Sequence, residues 1–183
     1  MSGRVHHFFV FFFLLVLVAL FSCENSMNEI KSVGSKDRSP EEAVKDVELI
    51  FSDSGVVQAL MKSPLLKHYN TDRPYTEMPN GIKVFFYDSA MNVQARLSAN
   101  SAINYEKEKI MDAKSNVVVI NTKGEKLVTE HLVWDQKKRI IYSDVFVTIT
   151  TKDEVLIGNG MESDDAFDKW HINHVTGSFN IKK

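Results

Sequence analysis

A single cysteine, Cys23, stands in 183 residues, so no intrachain disulfide can staple this chain. Basic character is also scarce. Lysine and arginine number 22 against 24 acidic residues, and no basic run has the length that nucleic-acid binding requires. No GxSxG, P-loop or GxGxxG is written anywhere. His171-x-x-His174 is the one tight histidine pair after the leader. On a strand, residues three apart point to opposite faces, so this pair does not read as a metal site. Glu162, Asp164, Asp165 and Asp168 lack the glycine and closing glutamate of a calcium loop and read as a solvated turn. Neither an enzyme nor a cofactor or metal protein is expected. Helix-period patterning of useful length is missing after residue 45.

What is present is alternation. Val93, Ala95, Leu97 and Ala99 share one side of a strand, and Gln94, Arg96, Ser98 and Asn100 the other. The stretch from Phe86 to Tyr105 also echoes Phe51 to Tyr69. Both open on aromatic-x-Asp-Ser, carry Val-Gln-Ala, and close on a tyrosine twelve residues after that valine. Self-similarity near a 36-residue period points to repeated hairpins. Tyr105-Glu-Lys-Glu-Lys-Ile110 returns as Trp134-Asp-Gln-Lys-Lys-Arg-Ile140, each a hairpin with lysines at its tip. Thr122-Lys-Gly124-Glu signals another. Met78-Pro79-Asn80-Gly81 signals one more, its Asn-Gly pair suiting a type I′ turn. Asn116–Ile120 and Phe146–Thr150 are rich in β-branched residues. The fold expected is all-β and antiparallel.

The N-terminus reads as an export signal. Arg4 precedes an apolar run of 14 residues from Phe8 to Phe21. As a helix this run would span about 21 Å, short of the roughly 30 Å hydrocarbon core. Leu20-Phe21-Ser22-Cys23 resembles a lipobox, whose cysteine is acylated. The expected division is residues 1–22 as lipoprotein signal peptide, 23–43 as flexible tether, and 44–183 as the β domain. An uncleaved anchor is the alternative. Losing Arg4 with the leader takes the formal charge from −2 to −3. Ser39-Pro40-Glu41-Glu42 looks like a capping box with proline at N1, but too little apolar periodicity follows for more than one helical turn at most.

Each strand carries one apolar side. Val57, Ala59, Met61, Val84, Phe86, Val93, Ala95, Leu97, Val147 and Ile149 would line a common trough. A filled trough is a hydrophobic core and an open one is a lipid site; the pattern is the same for both.

Phe51-Ser-Asp-Ser-Gly55, Pro64-Leu-Leu, Tyr69, Pro79-Asn-Gly81 and Asn104-Tyr-Glu-Lys-Glu108 together resemble the LptC family of lipopolysaccharide export proteins. Asn116-Val-Val-Val119, Lys123-Gly-Glu-Lys-Leu127, Trp134-Asp-Gln-Lys-Lys138 and Tyr142-Ser-Asp144 extend the resemblance over residues 40–180. It implies an open β-jellyroll that binds lipopolysaccharide in the periplasm. It implies as partners the permease subunits of an inner-membrane ABC transporter and a bridge jellyroll of the same fold, joined strand to strand. Many members keep one transmembrane helix, whereas this chain shows a cysteine suited to lipid anchoring at Cys23. The C-terminal strand, with Val175, Ser178 and Phe179, is the expected edge toward the bridge. A second reading is an envelope lipoprotein serving as a carbohydrate-binding or scaffold module, which predicts an exposed aromatic platform, although the two tryptophans, Trp134 and Trp170, lie far apart in sequence.

Overall fold

The computed structural model describes residues 39–181. Cys23 and the apolar run before it lie outside them. Eleven strands follow one another: β1 (Glu42–Asp53), β2 (Val56–Tyr69), β3 (Tyr75–Met78), β4 (Ile82–Tyr87), β5 (Val93–Ala99) and β6 (Ser101–Tyr105). Then come β7 (Ile110–Asn121), β8 (Lys126–Asp135), β9 (Ile140–Thr150), β10 (Glu154–Asp164) and β11 (Trp170–Asn180). All pairings are antiparallel. Among the described residues no helix forms, and the capping-box expectation fails. Glu42 is already paired with His68 at the start of β1, because a lone turn with no apolar face cannot compete with a 12-residue strand pairing.

The sheet runs β11-β10-β9-β8-β7 and then divides. β7 meets β6 through Ile110–Lys114 and β5 through Val118–Asn121. At the far side β2 meets β4 through Ala59–Lys62 and β3 through Lys67–Tyr69. β3 and β4 therefore lie end to end along one partner. Pro79-Asn80-Gly81 is a break in a continuing strand, and the hairpin expected there does not exist. A type I′ turn needs positive φ at both central residues, and of these three only Gly81 has it, at 99°. Pro79 also removes a ladder donor where pairing lapses.

The other expected hairpins form, and the duplicated stretch has a structural meaning. Each copy is a hairpin tip followed by a long strand course: β2 in the first, β5 with β6 in the second. Their closing tyrosines, Tyr69 and Tyr105, both contact Tyr75, at 4.7 and 6.3 Å between ring centroids. The lysine-tipped turns stack as a ladder. Gln136 N donates to the Lys109 carbonyl at 3.0 Å, and Asp165 N to that of Arg139 at 3.1 Å.

A line of irregularities crosses every long strand near its middle. Ser115 and Asn116 take left-handed φ of 63° and 52°. Register shifts follow between Thr129 and Val133, between Asn159 and Met161, and between Ile157 and Gly158. Bulges bend strands and sharpen their twist, so the sheet folds over along this crease. Buried hydroxyls satisfy the backbone where the ladder lapses. Ser63 Oγ donates to the Gly81 carbonyl at 2.9 Å, and Thr129 Oγ1 to that of Phe146 at 2.9 Å. The core between the halves includes Phe86, Phe167, Met61, Met78, Leu127 and Ile141.

Two carboxylates, one in the β4–β5 connection and one within β9, give the fold a pH signature. Asp88 caps the β4–β5 connection, accepting from the Asn92 side chain at 3.0 Å and from the backbone N–H of Asn92 and Ala90. The Asn92 amide, chiefly, holds this carboxyl below the usual aspartate range. Asp144 is held down likewise, by the His131 ring. A depressed folded-state value stabilises the fold above the ordinary aspartate range and loses that effect as pH falls through the folded value. Asp88→Asn is therefore expected to lower the melting temperature at pH 7 and to converge with the parent as pH falls well below the ordinary aspartate range. Thermal melts across that range test it, and a constant offset at every pH would refute it.

Candidate functional site

Cross-strand register builds the inner face in rows. Ala59, Phe86 and Ala95 are direct neighbours, as are Met61, Val84, Leu97 and Val119. Val147 and Ile149 pair with Thr129 and Leu127. Of the ten expected trough residues, eight are 3% exposed or less and form filled core in this conformation: Ala59, Met61, Val84, Phe86, Ala95, Leu97, Val147 and Ile149. Val57 and Val93 are partly exposed at the rim. The alternation thus placed eight of the ten on the buried face.

Among the described residues the roll is not closed by hydrogen bonds. There β1 pairs only with β2, and β11 only with β10, so each leaves one edge free. The two edges differ. β1 carries Glu42, Lys45, Asp46, Glu48 and Asp53, with a left-handed Asp46 interrupting the strand. β11 carries no carboxylate, lysine, arginine or proline. Such an edge lacks the charges and proline that usually discourage further pairing, and its one protective irregularity is the bulge opposite Ile157 and Gly158. Val175 shares a row with Gly158 and Val147 and so faces inward, yet it is 59% exposed. Ser178 lies in the row of Leu156 and Ile149, also inward. Phe179 pairs with Val155, points outward and is exposed. The expected partner-edge residues are therefore split between both faces of a free-edged strand, and the inner face near Val175 is uncovered.

Opposite the crease, strand ends from the two halves meet as lips. Asn121 Nδ2 donates to the Phe167 carbonyl and to Glu125 Oε2, both at 2.7 Å, while its Oδ1 accepts from Lys123 and Glu125 N–H. Lys123 pairs with Asp168, whose carboxylate holds the ammonium above its ordinary value. Trp170 Nε1 donates to Glu125 at 3.2 Å. Beside the lips, between two stacked turns of one half, Arg139 grips Asp165 through two bonds, at 3.0 and 3.1 Å, and the Asp165 carboxylate raises the guanidinium value further. Asp165 is buried, which corrects its reading as part of a solvated turn. Trp134 closes the lips from inside, with edge contacts to Phe51 at 5.3 Å and Phe86 at 5.0 Å.

Sequence reasoning missed these lip residues. The hydrogen bonds that span the lips join residues 45 and 46 positions apart, and that of Arg139 spans 26, so no local pattern marks them. Trp134 is buried and Trp170 is packed against Phe167, so the two tryptophans form no exposed platform.

Among the described residues no helix is long and apolar enough to cross a membrane. No curated protein matches the chain. The sequence model of the family described as lipopolysaccharide-assembly, LptC-related, matches residues 8–179, nearly the whole length. A folded antiparallel sheet with an apolar interior and two unpaired edges, matched over that span, places the chain in the LptC-related family. It is a periplasmic, inner-membrane-associated component of lipopolysaccharide transport and not an enzyme.

Proposed function

We propose that this protein receives lipopolysaccharide from an inner-membrane ABC transporter, holds its acyl chains against the inner face of the roll, and passes it to a bridge jellyroll. The observation that carries this reading is the uncovered inner face at Val175 beside a charge-free edge on β11. Acyl chains gain about 0.8 kcal/mol per buried CH₂, so several chains bind without polar recognition. Because the central rows are filled, lipid enters where the inner face is already exposed and spreads the lips to reach Leu97 and Val147. The β11 edge offers a ladder for one more strand, which supports β-augmentation by the bridge. Acylation at Cys23 would hold the domain at the membrane surface.

Photo-crosslinkers at Val57 and Val175, on the inner side, are expected to capture lipopolysaccharide in cells. Crosslinkers at Lys83 and Arg96, on the outer side, are not. Equal labelling at all four positions would remove the inner face as the binding surface. Depleting the protein should also trap lipopolysaccharide at the inner membrane, as read by fractionation; unchanged delivery outward would favour a scaffold.

A further inference from the structure

Beside the lips lies a cleft of about 570 Å³, between the tip of the β1–β2 hairpin and the stacked turns. Three cations line it: Lys109, Lys137 and Arg139. They converge because the turns stack, with the N–H of Gln136 bonded to the carbonyl of Lys109, so that successive turns present their basic tips side by side. Arg139 is engaged by Asp165. Lys109 and Lys137 make no ion pair among the described residues. Asp53 is the other carboxylate of the cleft, so three cations face two acids and one positive charge is left over.

A second, independent feature points the same way. Trp134 forms part of the floor with Phe51, and its Nε1–H is buried with no acceptor among the described residues. Buried donors are almost always paired, and an unpaired one is costly unless something supplies an acceptor. Unpaired cations and an unpaired donor around one cleft call for a ligand rich in acceptors and negatively charged. The amides of Gln58 and Gln136, in the same lining, suit hydroxyl groups.

We propose that this cleft holds the phosphorylated sugar headgroup of the transported glycolipid, outside the apolar interior and next to the lips through which acyl chains enter. The proposal rests on the lipid-carrying reading above and adds a polar subsite to it. Phosphate accepts charge-assisted bonds from Lys109 and Lys137, and a ring or phosphate oxygen takes the bond from Trp134. Recognition here is electrostatic and weakens with added salt.

The test uses the purified full chain in detergent, with lipopolysaccharide and its enzymatically dephosphorylated form as probes. The parent is expected to bind the phosphorylated form about tenfold more tightly. The Lys109→Gln/Lys137→Gln variant should lose that preference while binding the dephosphorylated form as the parent does. Two indole N–H resonances report on site, since the chain has two tryptophans. That of Trp134 should shift with the phosphorylated probe only, and that of Trp170, already bonded to Glu125, should not. Equal affinity of the parent for both forms, or an unmoved Trp134 resonance, overturns the subsite and leaves the lipid-carrying reading intact. Binding of neither form overturns both. Inorganic phosphate that shifts Trp134 without being displaced by lipopolysaccharide makes the cleft a free-anion site and overturns the headgroup assignment.

Discussion

Truncating Trp134 to alanine is expected to lower the unfolding free energy by about 4 kcal/mol. The ring is 3% exposed and sits between Phe51 of β1 and Phe86 of β4, on the strand that leads into the second stacked turn. Its loss removes apolar burial and two edge-on aromatic contacts, and it leaves a void that the flanking strands cannot fill without shifting the turn ladder. Urea titration of the full chain measures the effect. Crosslinking supplies a second readout. With the lips no longer pinned from inside, a probe at Leu97, buried in the parent, should capture more lipopolysaccharide per folded molecule. A loss below about 1 kcal/mol would mean that the lips are held elsewhere, by Asn121 and Lys123.

The second large effect is expected at Gly158, where alanine should cost about 3 kcal/mol. A Cβ built there would stand 2.3 Å from Ile172 Cγ2 and 2.5 Å from the His174 carbonyl oxygen. The side chain could turn away, but the backbone oxygen cannot do so without moving β11 off β10. The damage therefore concentrates on the strand proposed to receive the bridge. Hydrogen exchange should quicken in β11 before it does in β7 or β8. Gly124→Ala is the control, because its φ of 80° brings strain while nothing lies within 4 Å of the added atom. It should cost about 1 kcal/mol. Equal costs at the two glycines would show that backbone strain, and not the close approach of β11, is what the sheet resists.

These two sites show where local pattern stops being informative. Period-2 alternation placed eight of the ten expected residues, from Ala59 to Ile149, on the buried face, because a strand's side chains alternate whatever it pairs with. Turn chemistry was legible where the chain truly reverses, as at Thr122-Lys-Gly124. It misled at Asn80-Gly81, where β2 spans both segments and keeps them collinear. Partner choice overrode the dipeptide's preference. The capping pattern at Ser39–Glu42 lost to β2 for the same reason. Asp165 read as solvated because nothing nearby in sequence announces Arg139, 26 residues before it.

By itself, then, the chain's sequence determined its class: antiparallel strands with one apolar side each, repeated hairpins, and a family resemblance strong enough to indicate lipopolysaccharide transport. Those properties rest on periodicity and short-range turns, which act within a few residues. The tertiary structure alone decided where the sheet creases, that the central rows are filled, that the edge at β11 is free, and that Lys109, Lys137 and Trp134 share one cleft. Each of these depends on which strands pair and how their bulges align across the sheet. Such pairings join residues tens of positions apart, and no local spacing encodes them.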